Sequence, residues 1–288
     1  MPLYKANAIV LRTWDLGESD KIVSIYTMEF GKIRGVAKGV KRLNTKFGSS
    51  TLPFTCIKVM FYGNEKNELK TISQTEIVKS FQGIRENLER ILYGSFILEL
   101  TEHLINGTHQ DERIFRLILK YLTWLEHETK GIILYSFCFK LLCMLGFRPS
   151  LSNCVICHQT IETADYNAIW FSREDGGVIC SACSRERHRA ISVPYEVIEL
   201  TKRLISERVE ELQKYSIPSQ LMEEMKGFTL YFLSQYQSFP MKSIGLIEEL
   251  MQEGNQDAAG NDRDRFHPSD PACDCDRMLP VCDAEIGK

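Results

Sequence analysis

The chain has 288 residues, 44% of them hydrophobic, which is long and apolar enough to bury the cores of two or three domains. Its formal charge of −3 hides a gradient: residues 1–85 carry 14 Lys and Arg against 7 Asp and Glu, a balance of +7, and residues 254–288 carry 4 against 8, a balance of −4. Head and tail cancel in the sum, so net charge does not exclude a polyanion partner, and only the head has the charge of a phosphate binder.

The opening MPLYKANAIVLR lacks the cationic region, apolar core and small-residue cleavage site of a secretory signal. The longest apolar run, Ile132 to Phe147, is interrupted by Ser136 and Lys140 and is too short to cross a bilayer. The expectation is a cytoplasmic protein. Its 10 cysteines then stand in a reducing compartment, where metal ligation is a commoner use of clustered thiols than a disulfide framework.

The first eighty residues predict strands. Ala8 to Leu11 is a continuous apolar run suited to a strand buried on both faces, and Lys21 to Phe30 is dense in β-branched and aromatic residues. Ile33 to Val36, Phe54 to Tyr62 and Leu69 to Val78 continue the pattern, with turn signals at Gly17-Glu18-Ser19, Gly31, Gly48-Ser49-Ser50 and Gly63-Asn64. Five short strands suit a Greek-key OB-fold barrel, a common oligonucleotide-binding architecture. On its third strand and the loop after it lies Gly31 to Lys46, GKIRGVAKGVKRLNTK, with six basic residues (Lys32, Arg34, Lys38, Lys41, Arg42 and Lys46) and no acid. A solvated basic connection has the same composition as a phosphate-binding loop. Tyr26, Phe30, Phe47, Phe54 and Tyr62 are aromatic candidates for stacking on bases, each equally at home in the barrel core; Phe47, beside Lys46 and outside the strand pattern, is the best stacking candidate.

From Gly83 the period changes to three and four. Ile84, Leu88, Ile91, Leu92, Phe96, Leu100 and Leu104 predict one amphipathic helix ending near Asn106-Gly107. A second begins at Asp111, and a third, Ile132 to Leu145, is apolar almost all round and should be the buried centre of a helical domain, with Cys138 and Cys143 as small core residues. Further helices open at Pro194 and Pro218, and Ile244 to Met251 suits a last turn or two. They lack a core of their own and should pack back on the earlier helices, making a discontinuous domain of 81–150 and 190–253. From Gly254 the chain is rich in Gly, Asp, Asn and Pro and reads as a disordered acidic tail, 254–288; Cys273, Cys275, Cys282 and His267 there have no strong metal-site spacing.

The most specific chemistry lies in the insert 151–189. Cys154, Cys157, Cys180 and Cys183 form a C-x2-C, x22, C-x2-C array. Two residues between thiolates let both sulfurs face one ion, and two such knuckles complete a tetrahedral S4 shell, the pattern of a structural Zn2+ site. Ala168 to Phe171, Asp175-Gly176-Gly177 and Val178-Ile179 can form a hairpin that brings the second pair to the first. CVICH also matches a c-type haem attachment pattern, and free thiols are a third reading. Arg185, Arg187, His188 and Arg189 either extend a nucleic-acid path or form a solvated approach to the next helix. No Walker A, dinucleotide-binding glycine pattern, H-E-x-x-H or G-x-S-x-G is found, so no catalytic residue is assigned. Asp15, Glu18 and Asp20, in and just before the turn LGESD, are the one acidic cluster near the basic head; they suit a turn or strand-end cap, and as a rival a Mg2+-dependent nuclease.

AIVLRTWDLGESDKIVSIYT, EFGKIRGVAKGVKR and LPFTCIKVMFY, followed by helices holding a four-cysteine insert, resemble the RecO family of bacterial recombination mediators over about residues 1 to 250. The resemblance implies an α+β multidomain chain: an OB barrel over 1–80, a helical domain and a zinc ribbon. It further implies binding of single- and double-stranded DNA, annealing of complementary strands, and work with RecR and the single-stranded-DNA-binding protein to load the RecA recombinase. The tail resembles nothing in the family. A zinc-ribbon adaptor that binds protein, its DNA affinity incidental, is the rival outside this class.

Overall fold

The computed structural model describes residues 2–42, 45–63, 68–107, 109–161, 168–185, 189–212, 214–236, 243 and 245, all within one compact unit, Met1–Leu250. The tail with its three cysteines, most of the segment Ile244 to Met251, and Arg187 and His188 lie outside the described residues. No helix among those described is long and apolar enough to cross a membrane.

Five strands close a barrel: β1 (Leu3–Leu16), β2 (Asp20–Thr27), β3 (Gly31–Ala37), β4 (Thr55–Tyr62) and β5 (Leu69–Ser80), in the order β1-β2-β3-β5-β4. Neighbours are antiparallel except β3 and β5, which run parallel. This is the five-stranded Greek-key arrangement expected of the apolar pattern. β1 serves two partners, β4 with Leu3 to Ile9 and β2 with Ala8 to Leu16, and the ladder slips between Val10 and Arg12. Alternation does the sorting: Ala8 and Val10 enter the barrel with Val23, Ile25, Ile57 and Val59, and Ile9 and Leu11, also buried, point outward from it on the strand against which the next long helix packs.

The helical region begins with a short turn, α1 (Gln82–Arg85), and then α2 (Leu88–Leu104). The expected single helix is thus split at Asn87, whose side chain caps α2 by accepting the Arg90 N–H at 3.0 Å. Leu88, assigned to the apolar stripe, sits at the first position after that cap and is 62% exposed. α3 (Glu112–Leu125) and α4 (Ile132–Met144) follow. α4 is buried along most of its length, as its all-round apolar sequence demands.

After the insert, α6 (Tyr195–Ser206), α7 (Val209–Leu212) and α8 (Ser219–Leu233) return to α4. Ser136 on α4 donates to the Leu204 carbonyl, and Phe139 stacks on Phe228 and Phe232, so the two sequence halves share one core. The insert contributes β6 (Ala168–Ser172), β7 (Gly177–Ile179) and the turn α5 (Ser181–Ser184), and β8 (Ile191–Pro194), just beyond it, completes a sheet of order β7-β6-β8. β8 was not expected: four residues, ending in Pro194, are too few for periodicity to reveal. Phe171 on β6 packs edge-on against Phe228 at 4.9 Å and ties this sheet to α8.

Barrel and helices meet at a buried carboxylate. Glu102 on α2 is 5% exposed; it accepts Ser24 Oγ–H at 2.6 Å and Arg34 Nη2–H at 2.7 Å. Lys32 Nζ donates to the Glu102 carbonyl at 2.6 Å and lies 4.0 Å from its Oε1. Nearby Tyr26 donates to the carbonyls of His109 and Asp111. Gly31, at φ +67°, approaches so closely that a Cβ there would lie 2.4 Å from the His109 carbonyl oxygen. Replacing Glu102 by Ala strands the Lys32 ammonium without its counter-charge and should cost about 3–5 kcal/mol of stability, with Glu102→Gln costing less because its one carbonyl oxygen still accepts from Arg34 and its amide N–H can donate to the Ser24 hydroxyl. Urea denaturation checks this; equal stability of Glu102→Ala and wild type would contradict it.

Candidate nucleic-acid interface and metal centre

The six cations of Gly31 to Lys46 divide into two sets. Lys32 and Arg34 alternate along β3 and so share one face, and that face meets α2. The Lys32 side chain is 9% exposed and committed to Glu102; burial, the largest influence, lowers its pKa. It is not free to meet a partner in solution, which corrects its assignment as a DNA contact. Arg34 keeps half its side chain exposed (52%) while bonded to Glu102. Lys38, Lys41, Arg42 and Lys46 are exposed on the loop that follows β3.

That loop is shaped by the acidic turn between β1 and β2. Asp20 Oδ1 accepts the Gly39 N–H at 2.8 Å and the Ser19 hydroxyl at 3.1 Å, and the Lys41 N–H donates to the Ser19 carbonyl at 3.0 Å. Lys41 Nζ reaches Asp15 Oδ2 at 2.8 Å. Gly39 has φ +75°, a conformation that favours glycine. The Gly39 amide, first of several influences, holds the Asp20 carboxyl below its ordinary range, and the Lys41 hydrogen bond does the same for Asp15. The segment DLGESD, Asp15 to Asp20, is therefore a clasp. Two of its carboxylates, Asp15 and Asp20, are spent on the basic loop, and among the described residues no group of three or more metal-ligating side chains contains a carboxylate.

The aromatic assignments change more. Phe47 is 3% exposed and belongs to the barrel core, with Lys46 Nζ 5.2 Å from its ring centroid on the outside. The short 3-10 turn Gly48–Thr51, bonded to the Phe47 carbonyl through Ser50, directs the ring inward to close the barrel end. This corrects its assignment as a stacking residue. Tyr26 and Phe54 are buried, and Phe30 packs edge-on against Tyr4 and Phe61. Tyr62 is exposed, opposite Leu3 at the start of β1.

Arg12 and Trp14 stand outside the expected contacts. Trp14 is half-buried near the end of β1, and the guanidinium carbons of Arg12 and Arg34 lie 5.1 and 5.6 Å from its ring centroid. Their signal was present in the two-residue spacing that puts Arg12 and Trp14 on one strand face. Arg34 joins them from the facing strands, because Arg12 pairs with Ser24 and Ser24 with Arg34.

In the insert, the Sγ atoms of Cys154, Cys157, Cys180 and Cys183 all lie within 4.8 Å of one another, with Cys157 and Cys180 at 3.8 Å. A tetrahedron with metal–sulfur bonds of about 2.3 Å has edges of about 3.8 Å, so the four thiols fit one soft divalent ion. β6 and β7 form the expected hairpin, turning through Gly176 at φ +74°. The first knuckle is bound to β7 by Val155 N–H to the Val178 carbonyl and closes on itself by His158 N–H to the Cys154 carbonyl, with His158 in left-handed backbone at φ 62°. His158 thus has a place in the knuckle turn. Burial raises the Cys154 thiol pKa, but the backbone N–H groups of Cys157, Cys180 and Ile156 outweigh it and bring it to about 6, whereas hydrogen bonding with Cys180 first of all pushes Cys183 up to about 12, so Cys154 is the favoured thiolate of the cluster and the others need the charge of an ion. Of the basic residues after the ribbon, Arg189 pairs with Glu174 at 2.8 Å.

A closed five-stranded barrel with a basic loop, joined to a helical domain bearing a four-thiol ribbon, defines the class. The family model described as Recombination protein O N terminal matches residues 1–81, and that described as Recombination protein O C terminal matches residues 85–244. The chain belongs to the recombination protein O (RecO) family. It is 33% identical over 239 residues to the DNA repair protein RecO of Symbiobacterium thermophilum, covering 82% of this chain and 93% of that protein. Against the DNA repair protein RecO of Pelotomaculum thermopropionicum it is 30% identical over 252 residues, 88% of this chain and 96% of the relative.

Elemental analysis of the purified chain should find one soft divalent metal ion per molecule, lost when Cys180 and Cys183 are both replaced by Ser. A fully folded protein free of metal would contradict the four-thiol assignment.

Proposed function

We propose that this chain is a non-enzymatic mediator of DNA repair and recombination that binds single- and double-stranded DNA and anneals complementary strands. The observation that carries the reading is the set of exposed cations Lys38, Lys41, Arg42 and Lys46 after β3, with the loop held at Gly39 and Lys41 by the clasp of Asp15 to Asp20. Cations on such a loop neutralise phosphates and release counterions, which gives affinity with little preference for sequence. Screening the phosphates of two strands at once lowers their mutual repulsion, which is the physical requirement for annealing. Family membership supports a cytoplasmic, nucleoid-associated role with RecR, the single-stranded-DNA-binding protein and, through them, loading of RecA. The four thiols would hold a structural Zn2+, leaving no open coordination position for chemistry.

Replacing Lys38, Lys41 and Arg42 together by Ala should flatten the slope of log affinity against log salt. Each lost phosphate contact contributes about 0.7 on single strands and about 0.9 on duplex, so the full loss is about two to three units, with Lys41 contributing least because Asp15 already shares its charge. An unchanged slope would overturn the assignment. Annealing of complementary oligonucleotides by the purified chain at moderate salt separates a mediator from an adaptor with incidental DNA affinity; failure to anneal would favour the adaptor.

A further inference from the structure

We infer that Trp14 is a stacking platform for an unpaired nucleobase and would give the barrel a preference for single-stranded over duplex DNA. The inference rests on the DNA-binding reading above and adds to it a residue and a selectivity. Most aromatic side chains of the barrel are consumed by its core, and exposed Tyr62 stands opposite Leu3, at the far end of β1 from Trp14. Trp14 lies on the outer face of β1, half-buried, next to the clasp: Asp15, the following residue, carries Lys41 of the basic loop.

Two guanidiniums attend the ring, and they are not equivalent. Arg34 is fixed by Glu102 at 2.7 Å. Arg12 is exposed, and among the described residues no carboxylate pairs with it. Its guanidinium lies 5.1 Å from the ring centroid, a cation–π contact that is weak in solvent. A nucleobase stacked on indole is the stronger contact of the two. Arg12 can therefore yield the ring to a base and move its charge to the neighbouring phosphate, so the ring stays covered and the cation gains a partner. The bases of a duplex are already stacked and paired, so this exchange is open only to an unpaired strand. Phosphate contacts from the loop make no such distinction.

The chain has 3 tryptophans, Trp14, Trp124 and Trp170, which permits a direct optical test. In the Trp124→Phe/Trp170→Phe protein, Trp14 is the sole indole, and its fluorescence should be quenched by oligo(dT) and not by a duplex of equal length. Trp14→Ala in the full chain should weaken oligo(dT) binding about tenfold and duplex binding less than about twofold. Trp14→Phe should recover part of the loss, and the salt slope should stay that of wild type because indole releases no counterion. Absence of quenching, or equal loss on single strand and duplex, would overturn the inference while leaving the loop assignment standing. A wild-type chain that binds neither DNA would overturn both. Should Trp14→Ala fail to fold, the quenching experiment and Trp14→Phe decide alone.

Discussion

A carboxylate buried where barrel and helices meet must find charged or hydrogen-bonding partners, and Glu102 meets that demand with Ser24 and Arg34 of the barrel, while Lys32 caps its own carbonyl. Much else follows from this one group. It orients α2 against β2 and β3, and the same close approach brings the His109 carbonyl onto Gly31 and the hydroxyl of Tyr26. It also sorts the basic stretch. Two of six cations are drawn inward to a structural carboxylate, and four remain on the loop beyond.

The loop owes its shape to a second set of paired charges at the barrel end. Asp20 and Asp15 are acids inside a basic region, which would weaken a polyanion surface if they were idle. They bind the Gly39 amide and the Lys41 ammonium instead, and so restrict the freedom of a glycine-containing loop before any partner arrives. The ribbon uses a different principle in the same chain. Its small sheet buries Ile169, Val178, Ile179 and Val193 and is anchored by Phe171 against α8, and four convergent thiols add to that small apolar set.

The barrel was legible in the sequence because its signal is local: a period of two, bounded by glycine turns, reports strands wherever they later pair. The four cysteines were legible for the same reason, since knuckle spacing is a short-range property. What escaped depends on residues far away in the chain. Lys32 and Arg34 look like free cations until α2 supplies Glu102 about seventy residues later. Phe47 looks exposed beside Lys46 until the turn after it is seen to point the ring into the barrel. Leu88 fits a helical stripe that Asn87 interrupts. Trp14 was passed over because its neighbours across the sheet, and not along the chain, make it notable.

The proposed DNA contact is the clasped loop and the adjoining outer face of β1, and not the ribbon. Photocrosslinking of oligo(dT) to the intact chain, with crosslinked peptides identified by mass spectrometry, tests this most directly. Crosslinks should concentrate in residues 38–46 and around Arg12 and Trp14. Crosslinks confined to the ribbon, 151–189, or to the helices around α4 would contradict it.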